Sequence, residues 1–293
     1  MQEDYNKLIE KLFEDSDWSG IISLCTKILE KDEKDIFAYF RRAVAHYNLQ
    51  ELELCLQDAE RMKELAPDEY RGYDWAGGIY FELNQCEKAI ENFNKVLELN
   101  PEYAAAYNNR GASKYALGDK AGAIADYDKA LELNPEYADA YNNRGLCKSA
   151  LGDNIGAIAD YDKALELNPE DAKAYNNRAE TKYAIGDKVG AIADYDKVLE
   201  LNFKYVHVYN NRGLCKSDLG DDVGAIGDFT KAIELNRNEE CYLFGYINRS
   251  MSYERLGRYK EALADVNKYL ESDPENNDAL EFKQKIEEKL KNE

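Results

Sequence analysis

The stretch Tyr107–Asn134 reads YNNRGASKYALGDKAGAIADYDKALELN, and nearly the same words return from Tyr141 and Tyr175, with a looser copy from Tyr209. The step is 34 residues each time. A copy this short cannot bury its own apolar face, so copies must stack and share one continuous core. The period therefore predicts a quasi-linear solenoid of helix pairs. It overrides the two globular domains that a length of 293 residues would otherwise suggest.

Setting the recurrent tyrosine at position 4 extends the frame in both directions. The repeats are predicted at 2–35, 36–69, 70–103, 104–137, 138–171, 172–205 and 206–239. Three additional residues, Glu240, Cys241 and Tyr242, precede an eighth at 243–276, and 277–293 is predicted to be a capping helix. Position 4 is then Tyr throughout: Tyr5, Tyr39, Tyr73, Tyr107, Tyr141, Tyr175, Tyr209 and Tyr246. Position 20 is small or apolar, as in Ala89, Ala123 and Ala157, and position 24 is mostly aromatic, as in Phe93, Tyr127 and Phe229. Positions 4, 8 and 11, and then 20, 24 and 27, lie three or four apart, so each set lines one face of a helix. Leu117-Gly118-Asp119 and its copies supply a helix-ending glycine followed by a capping Asp. All five prolines fall at position 32 (Pro67, Pro101, Pro135, Pro169, Pro274), where they stop the second helix, and Phe203 and Arg237 take that place in repeats six and seven.

This register resembles the tetratricopeptide repeat family over essentially the whole chain. An aromatic at 4, a small residue at 8, Ala at 20, an aromatic at 24, Ala at 27 and Pro at 32 recur together. The resemblance implies an all-α fold, a right-handed superhelical solenoid of antiparallel helix pairs. It also implies that the first helix of each pair lines a concave groove, with positions 2, 5, 6, 9, 12 and 13 facing it.

Comparing the copies with one another gives two further expectations. Position 7 is Arg in six of the eight repeats (Arg42, Arg110, Arg144, Arg178, Arg212, Arg249), and position 23 is Asp in the same six (Asp58, Asp126, Asp160, Asp194, Asp228, Asp265). The first repeat has Leu8 with Leu24 and the third has Ala76 with Asn92, so the two positions switch together. An Arg–Asp bridge between the two helices of a repeat is predicted. The middle four repeats carry Lys at position 11 (Lys114, Lys148, Lys182, Lys216) and Gly at 19 (Gly122, Gly156, Gly190, Gly224). The lysine stems are predicted to lie across the gap that glycine leaves.

Composition narrows the function. Apolar residues make up 44% and charged residues 33%, as in an ordered globular chain. A net charge of −20 repels nucleic-acid phosphates and anionic membranes, so neither is an expected partner. Solubility alone and an acidic face suited to a basic partner both remain open. The opening MQEDYNKLIEKLFED already reads as an acidic amphipathic helix, so no signal peptide is expected, and no apolar run approaches the ~18 residues that span a bilayer. Six cysteines without a C-x-x-C pairing fit free thiols in a reducing cytoplasm.

No catalytic constellation emerges. Asp126 and Asp128 stand two apart on a helix and face different ways. His46 and His207 occupy unlike positions of distant repeats, and Cys147 and Cys215 have nothing beside them to activate a thiolate. No phosphate loop, zinc motif or nucleophile elbow is present, and no cofactor or metal is expected.

Position 6 carries the functional signal. It reads Lys7, Arg41, Trp75, and then Asn109, Asn143, Asn177, Asn211 and Asn248 in succession. A carboxamide both donates and accepts, so evenly spaced amides can hold a peptide main chain with little regard to its side chains. Asn108, Asn142, Asn176 and Asn210 at position 5 are expected to widen this polar strip. Duplication of a shared helix start would leave the same asparagines. The early repeats offer aromatics instead (Phe37, Phe40, Tyr47, Trp75 and Phe81, beside Arg41), residues that serve as anchors at interfaces. The two-carboxylate clamp that some family members use for acidic C-terminal tails has no counterpart in any three consecutive repeats. The expectation is a cytoplasmic, monomeric, non-catalytic adaptor that binds an extended peptide or protein segment in its groove. The alternative is a self-assembling or structural subunit that uses its acidic convex face or its repeat ends.

Overall fold

The computed structural model describes residues 2–202, 204–235 and 243–292, with side chains from Leu8 onward. Phe203, Arg237, the inserted Glu240, Cys241 and Tyr242, and the side chains of Tyr5 and Lys7 lie outside the described residues. Seventeen α-helices and no strands are present among the described residues. The chain divides into two compact units, residues 1–147 and 148–293.

The first unit holds α1 (Gln2–Glu14), α2 (Trp18–Leu29), α3 (Ile36–Asn48), α4 (Leu52–Leu65), α5 (Tyr70–Glu82), α6 (Cys86–Leu99), α7 (Ala104–Ala116), α8 (Lys120–Leu133) and most of α9 (Ala138–Ala150). The second holds α10 (Asn154–Leu167), α11 (Ala172–Ala184), α12 (Lys188–Leu201), α13 (Val206–Asp218), α14 (Asp222–Leu235), α15 (Leu243–Arg255), α16 (Tyr259–Leu270) and α17 (Asn277–Lys291). Within each unit successive helices pack on one another, α1 through α8 in the first and α10 through α17 in the second, so each unit is an all-α stack of antiparallel helix pairs.

Two local devices set the pairs. The turn inside a pair closes on a left-handed residue, with Gly118, Gly152 and Gly186 each at φ 87°, Gly220 at 83° and Gly257 at 72°. After the first four of these glycines an Asp follows and caps the next helix, as Asp119 Oδ1 accepts from the Gly122 N–H at 2.9 Å. The core is thin and made of small residues against rings. Ala123, Tyr127 and Cys147 form one such cluster in the first unit, and Ala179, Ala191 and Tyr195 belong to another in the second. A Cβ on Gly111 would stand 2.8 Å from the Tyr127 ring, so glycine there is what allows the helices to approach.

The glycines at position 19 do something other than expected. A Cβ on Gly122, Gly156, Gly190 or Gly224 would fall 2.1–2.2 Å from an oxygen of the capping Asp, so the cap carboxylate fills that space. The lysine stems go elsewhere: Lys114, Lys182 and Lys216 reach Asp126, Asp194 and Asp228 at 2.7–2.8 Å.

Candidate functional site

Five of the six expected Arg–Asp bridges lie within one unit, and those five form, each doing more than join one pair. Arg110 Nε and Nη2 donate to the two oxygens of Asp126 at 2.9 and 2.6 Å, while Nη1 donates to Asn94 on the preceding pair at 2.7 Å. Arg178 repeats this with Asp194 and Asp162, and Arg212 with Asp228 and Asp196. Arg42 and Arg249 hold Asp58 and Asp265 in the same fork, with Thr26 and Thr230 taking the third bond. Arg144 lies in the first unit and reaches Asp128 at 2.6 Å, and Asp160 lies in the second and accepts Lys148 at 2.8 Å. Each guanidinium also lies over the tyrosine three residues earlier, 5.4–5.6 Å from the ring centroid. Where it is present, the planar fork thus fixes the first helix of its pair, and with it the rotation of the neighbouring side chain at position 6.

In the first unit the aromatic residues divide. The Trp75 ring meets Phe40 at 5.8 Å and Tyr47 at 5.9 Å, both edge to face, and the Tyr47 hydroxyl donates to Glu82 at 2.5 Å. Phe37 and Phe81 stay exposed, and Arg41 is half-buried. Gly78 adds to the opening beside Trp75, since a Cβ there would meet nothing within 4 Å.

In the first unit the asparagines form two layers, which the repeat pattern alone did not reveal. Asn108 and Asn142 are buried, at 6% and 9% exposure, whereas Asn109 and Asn143 are half-buried. Asn143 Nδ2 donates to Asn108 Oδ1 at 3.0 Å, and Asn108 Nδ2 donates to Asn109 Oδ1 at 3.2 Å. In the second unit Asn248 Nδ2 donates to Asn210 Oδ1 at 3.0 Å, the same relay between successive first helices. Asn176 departs from it, donating to Glu180 at 3.0 Å while its buried Oδ1 has no partner among the described residues. Asn177 and Asn211 are half-buried, and the Asn177 carbonyl accepts from Thr181 at 2.9 Å. Burial pushes the Tyr195 hydroxyl above the ordinary phenol range, offset in part by the Asn211 amide beside it. In α5 the place taken by Asn108 in α7 holds Asp74, whose carboxyl burial pushes up although the Tyr103 hydroxyl donates to it at 3.2 Å.

The groups weighed for other chemistry are structurally occupied. Asp128 pairs with Arg144, and His46 Nδ1 lies 2.6 Å from Glu51. Burial pushes the thiols of Cys25, Cys147 and Cys215 up to about 11 and that of Cys55 to about 12, which keeps them protonated near neutral pH. Among the described residues no group of His, Cys, Asp or Glu could hold a metal ion, and no helix is long and apolar enough to cross a membrane.

Comparison with known proteins agrees with this geometry. Models described as TPR repeat match residues 77–118 and 113–152, and models described as tetratricopeptide repeat match 138–171, 160–193 and 244–276. The chain belongs to the tetratricopeptide repeat family. No curated protein matches it. Among solved structures, it is similar to a chain of the APC/C hetero-tetramer Cut9–Hcn1, with a TM-score of 0.65 at 18% identity over 92% of this chain. It spans about half of that relative, 52%. It is also similar to pilF of Pseudomonas aeruginosa (TM-score 0.63, 18% identity, 73% of this chain and 96% of the other). A tetratricopeptide repeat protein from Parabacteroides merdae gives 0.59 at 19% identity over 86% and 98%. At these identities the likeness concerns the fold, which in general serves as a protein-interaction scaffold.

Proposed function

We propose that this chain is a non-catalytic adaptor of eight repeats and a capping helix that holds an extended segment of a partner protein against the first helices of its pairs. Asn109 and Asn143 in the first unit, and Asn177, Asn211 and Asn248 in the second, take the peptide main chain. The Phe40–Tyr47–Trp75 cluster, flanked by Phe37, Phe81 and Arg41, takes a side-chain anchor. On this reading the chain works as a cytoplasmic monomer without a cofactor, on protein rather than nucleic acid or membrane.

The observation that carries the reading is the amide relay. A carboxamide tied down through Nδ2, as Asn143 and Asn248 are, keeps its Oδ1 in a fixed orientation, ready to accept a peptide N–H. Less side-chain freedom is then lost when a ligand binds. Duplicated wording at a helix start requires no such bonds between repeats.

The test captures partners from native-source lysate on the immobilised full chain. Wild type is compared with a variant in which Asn109, Asn143, Asn177, Asn211 and Asn248 are all Ala, and with Trp75→Ala, after circular dichroism shows all three folded. Partners held by wild type, lost by the five-site variant and weakened by Trp75→Ala are the expected result. Equal capture by all three overturns the reading. Concentration-dependent sedimentation with no captured partner favours self-assembly instead.

A further inference from the structure

The second unit carries an apolar ridge that neither the core nor the asparagine face uses. Position 18 opens the second helix of each pair. It is Ser19, Glu53, Glu87, Ala121 and Lys260 in five repeats, but Ile155, Val189 and Val223 in three consecutive ones. These three are among the barest side chains of the protein, 81%, 68% and 71% exposed. Leu151, Ile185 and Leu219, four residues earlier in the turns, are also about half exposed, at 56%, 49% and 51%. One helical turn beyond stand exposed Ala159, Ala193 and Gly227, so no long side chain folds over the strip.

The turns bearing these residues are neighbours in space. Lys188, beside Val189, pairs with Asp218, beside Leu219, at 2.9 Å. Ser149, in the last turn of α9 just ahead of Leu151, lies 3.2 Å from Thr181, in the last turn of α11 just ahead of Ile185. The six aliphatics therefore form one continuous row. Scattered apolar side chains on a surface are ordinary, but a contiguous row marks a contact surface.

The surroundings specify the occupant. Asp153, Asp187 and Asp221 border the row at the helix starts, exposed and without a cation partner among the described residues. Their caps use one oxygen each, toward Gly156, Gly190 and Gly224. The nearby cations are spent: Lys188 on Asp218 and Arg255 on Asp222. A second copy of this chain would set the same three carboxylates against themselves, and an anionic lipid surface would be repelled by them. We infer that the ridge docks a basic amphipathic helix of another protein, its apolar face on the row from Leu151 to Val223 and its Lys or Arg edge along Asp153, Asp187 and Asp221.

The test uses two synthetic amphipathic helices with the same leucine face, one edged with Lys and one with Glu, titrated by fluorescence anisotropy into the full chain. The variant Ile155→Ser/Val189→Glu/Val223→Lys places there what other repeats carry, and it leaves the net charge unchanged. Circular dichroism and thermal melts establish that it folds as wild type. The Lys-edged helix is expected to bind wild type, and to bind the ridge variant more than about tenfold more weakly. The Glu-edged helix is expected to bind wild type more than about tenfold more weakly as well. The variant with five Asn→Ala changes should bind the Lys-edged helix as wild type does, which separates this surface from the groove. No binding of the Lys-edged helix, equal binding by the ridge variant, loss of binding in the asparagine variant, or wild-type self-association abolished by the ridge changes would each overturn the proposal.

Discussion

The pairs α5–α6 and α7–α8 solve one problem with different residues. In α7–α8, Arg110 lies 5.4 Å from the Tyr107 centroid and forks onto Asp126, and Lys114 adds a second cation to the same carboxylate. In α5–α6 the arginine is Ala76 and the aspartate is Asn92. Yet the place above the tyrosine is still filled by a cation. Lys63, from α4, stands 5.2 Å from the Tyr73 centroid and donates to Asn92 Oδ1 at 2.9 Å, with Glu60 beside it at 2.9 Å. Every other repeat has Leu or Ile where Lys63 stands. What these two pairs share is therefore a cation over the ring, bonded to an oxygen on the second helix. Which element supplies it, and whether the oxygen is charged, can change as long as the charges at the site change together.

The largest expected effect separates the charged version from the neutral one. Asp126→Leu leaves Arg110 and Lys114 without their carboxylate in a poorly solvated place and should cost about 3 kcal/mol, read as a shift of the urea midpoint. Asn92→Leu removes a neutral acceptor whose lysine keeps Glu60, and should cost about 1 kcal/mol. Equal losses would show that the two pairs do not differ in the way described. A smaller effect tests the exchange itself. Ala76→Arg alone brings a second cation to a neutral amide and should destabilise by about 2 kcal/mol. Lys63→Leu/Ala76→Arg/Asn92→Asp rebuilds the Arg–Asp fork of α7–α8, without its second cation, and should return to within about 1 kcal/mol of wild type. A triple variant no better than the single one would sink the idea that Lys63 replaces the arginine.

How much of this could be read from the sequence depended on whether a pattern recurs. The helix pairs follow from the period, and the Arg–Asp contact follows from positions 7 and 23 switching together. Lys63 belongs to the same switch, but it lies in the preceding repeat, so a comparison confined to one repeat at a time misses it. The destination of Lys114 is not legible from the sequence, because Gly122 reads there as empty space, whereas its space belongs to the Asp119 cap. The candidate groove was legible as composition and not as depth. Asn108 and Asn109 are adjacent and chemically identical, and only the packing puts one at 6% exposure beneath the other. The aromatic end divided in the same way, because Phe40, Tyr47 and Trp75 found one another while Phe37 and Phe81 did not.

The turns continue the comparison at a lower energy. Gly118 closes the α7–α8 turn at φ 87°, whereas Asn84 closes the α5–α6 turn at 56° and Gln50 the α3–α4 turn at 62°. A side chain in the left-handed region costs ~1–2 kcal/mol relative to glycine, and Asn is among the residues that tolerate it best. Gln50→Gly should therefore raise stability by about 1 kcal/mol, Asn84→Gly by less, and Gly118→Gln should lower it by about 1 kcal/mol. Thermal melts of the three variants give the order, and a destabilising Gln50→Gly would contradict it.

The helix start after each turn gives the smallest difference, and it depends on two residues at once. Asp119 caps α8, while Gln85 makes no side-chain cap to α6. Asp119→Ala should cost about 1 kcal/mol and Gln85→Ala almost nothing. The cap, however, occupies the space that a Cβ on Gly122 would need, at 2.1 Å from Asp119 Oδ2. Gly122→Ala therefore exchanges a lost cap for a gain in helix propensity of about the same size, and should be near neutral. Once Asp119 is Ala, the same change meets no carboxylate and should recover about 1 kcal/mol. Gly122→Ala is thus predicted to stabilise the Asp119→Ala background and to leave wild type unchanged. If it acts alike in both backgrounds, the aspartate and the glycine are independent, and their joint presence at Asp17 and Gly20, and again from the α7–α8 turn through the α13–α14 turn, has no steric cause.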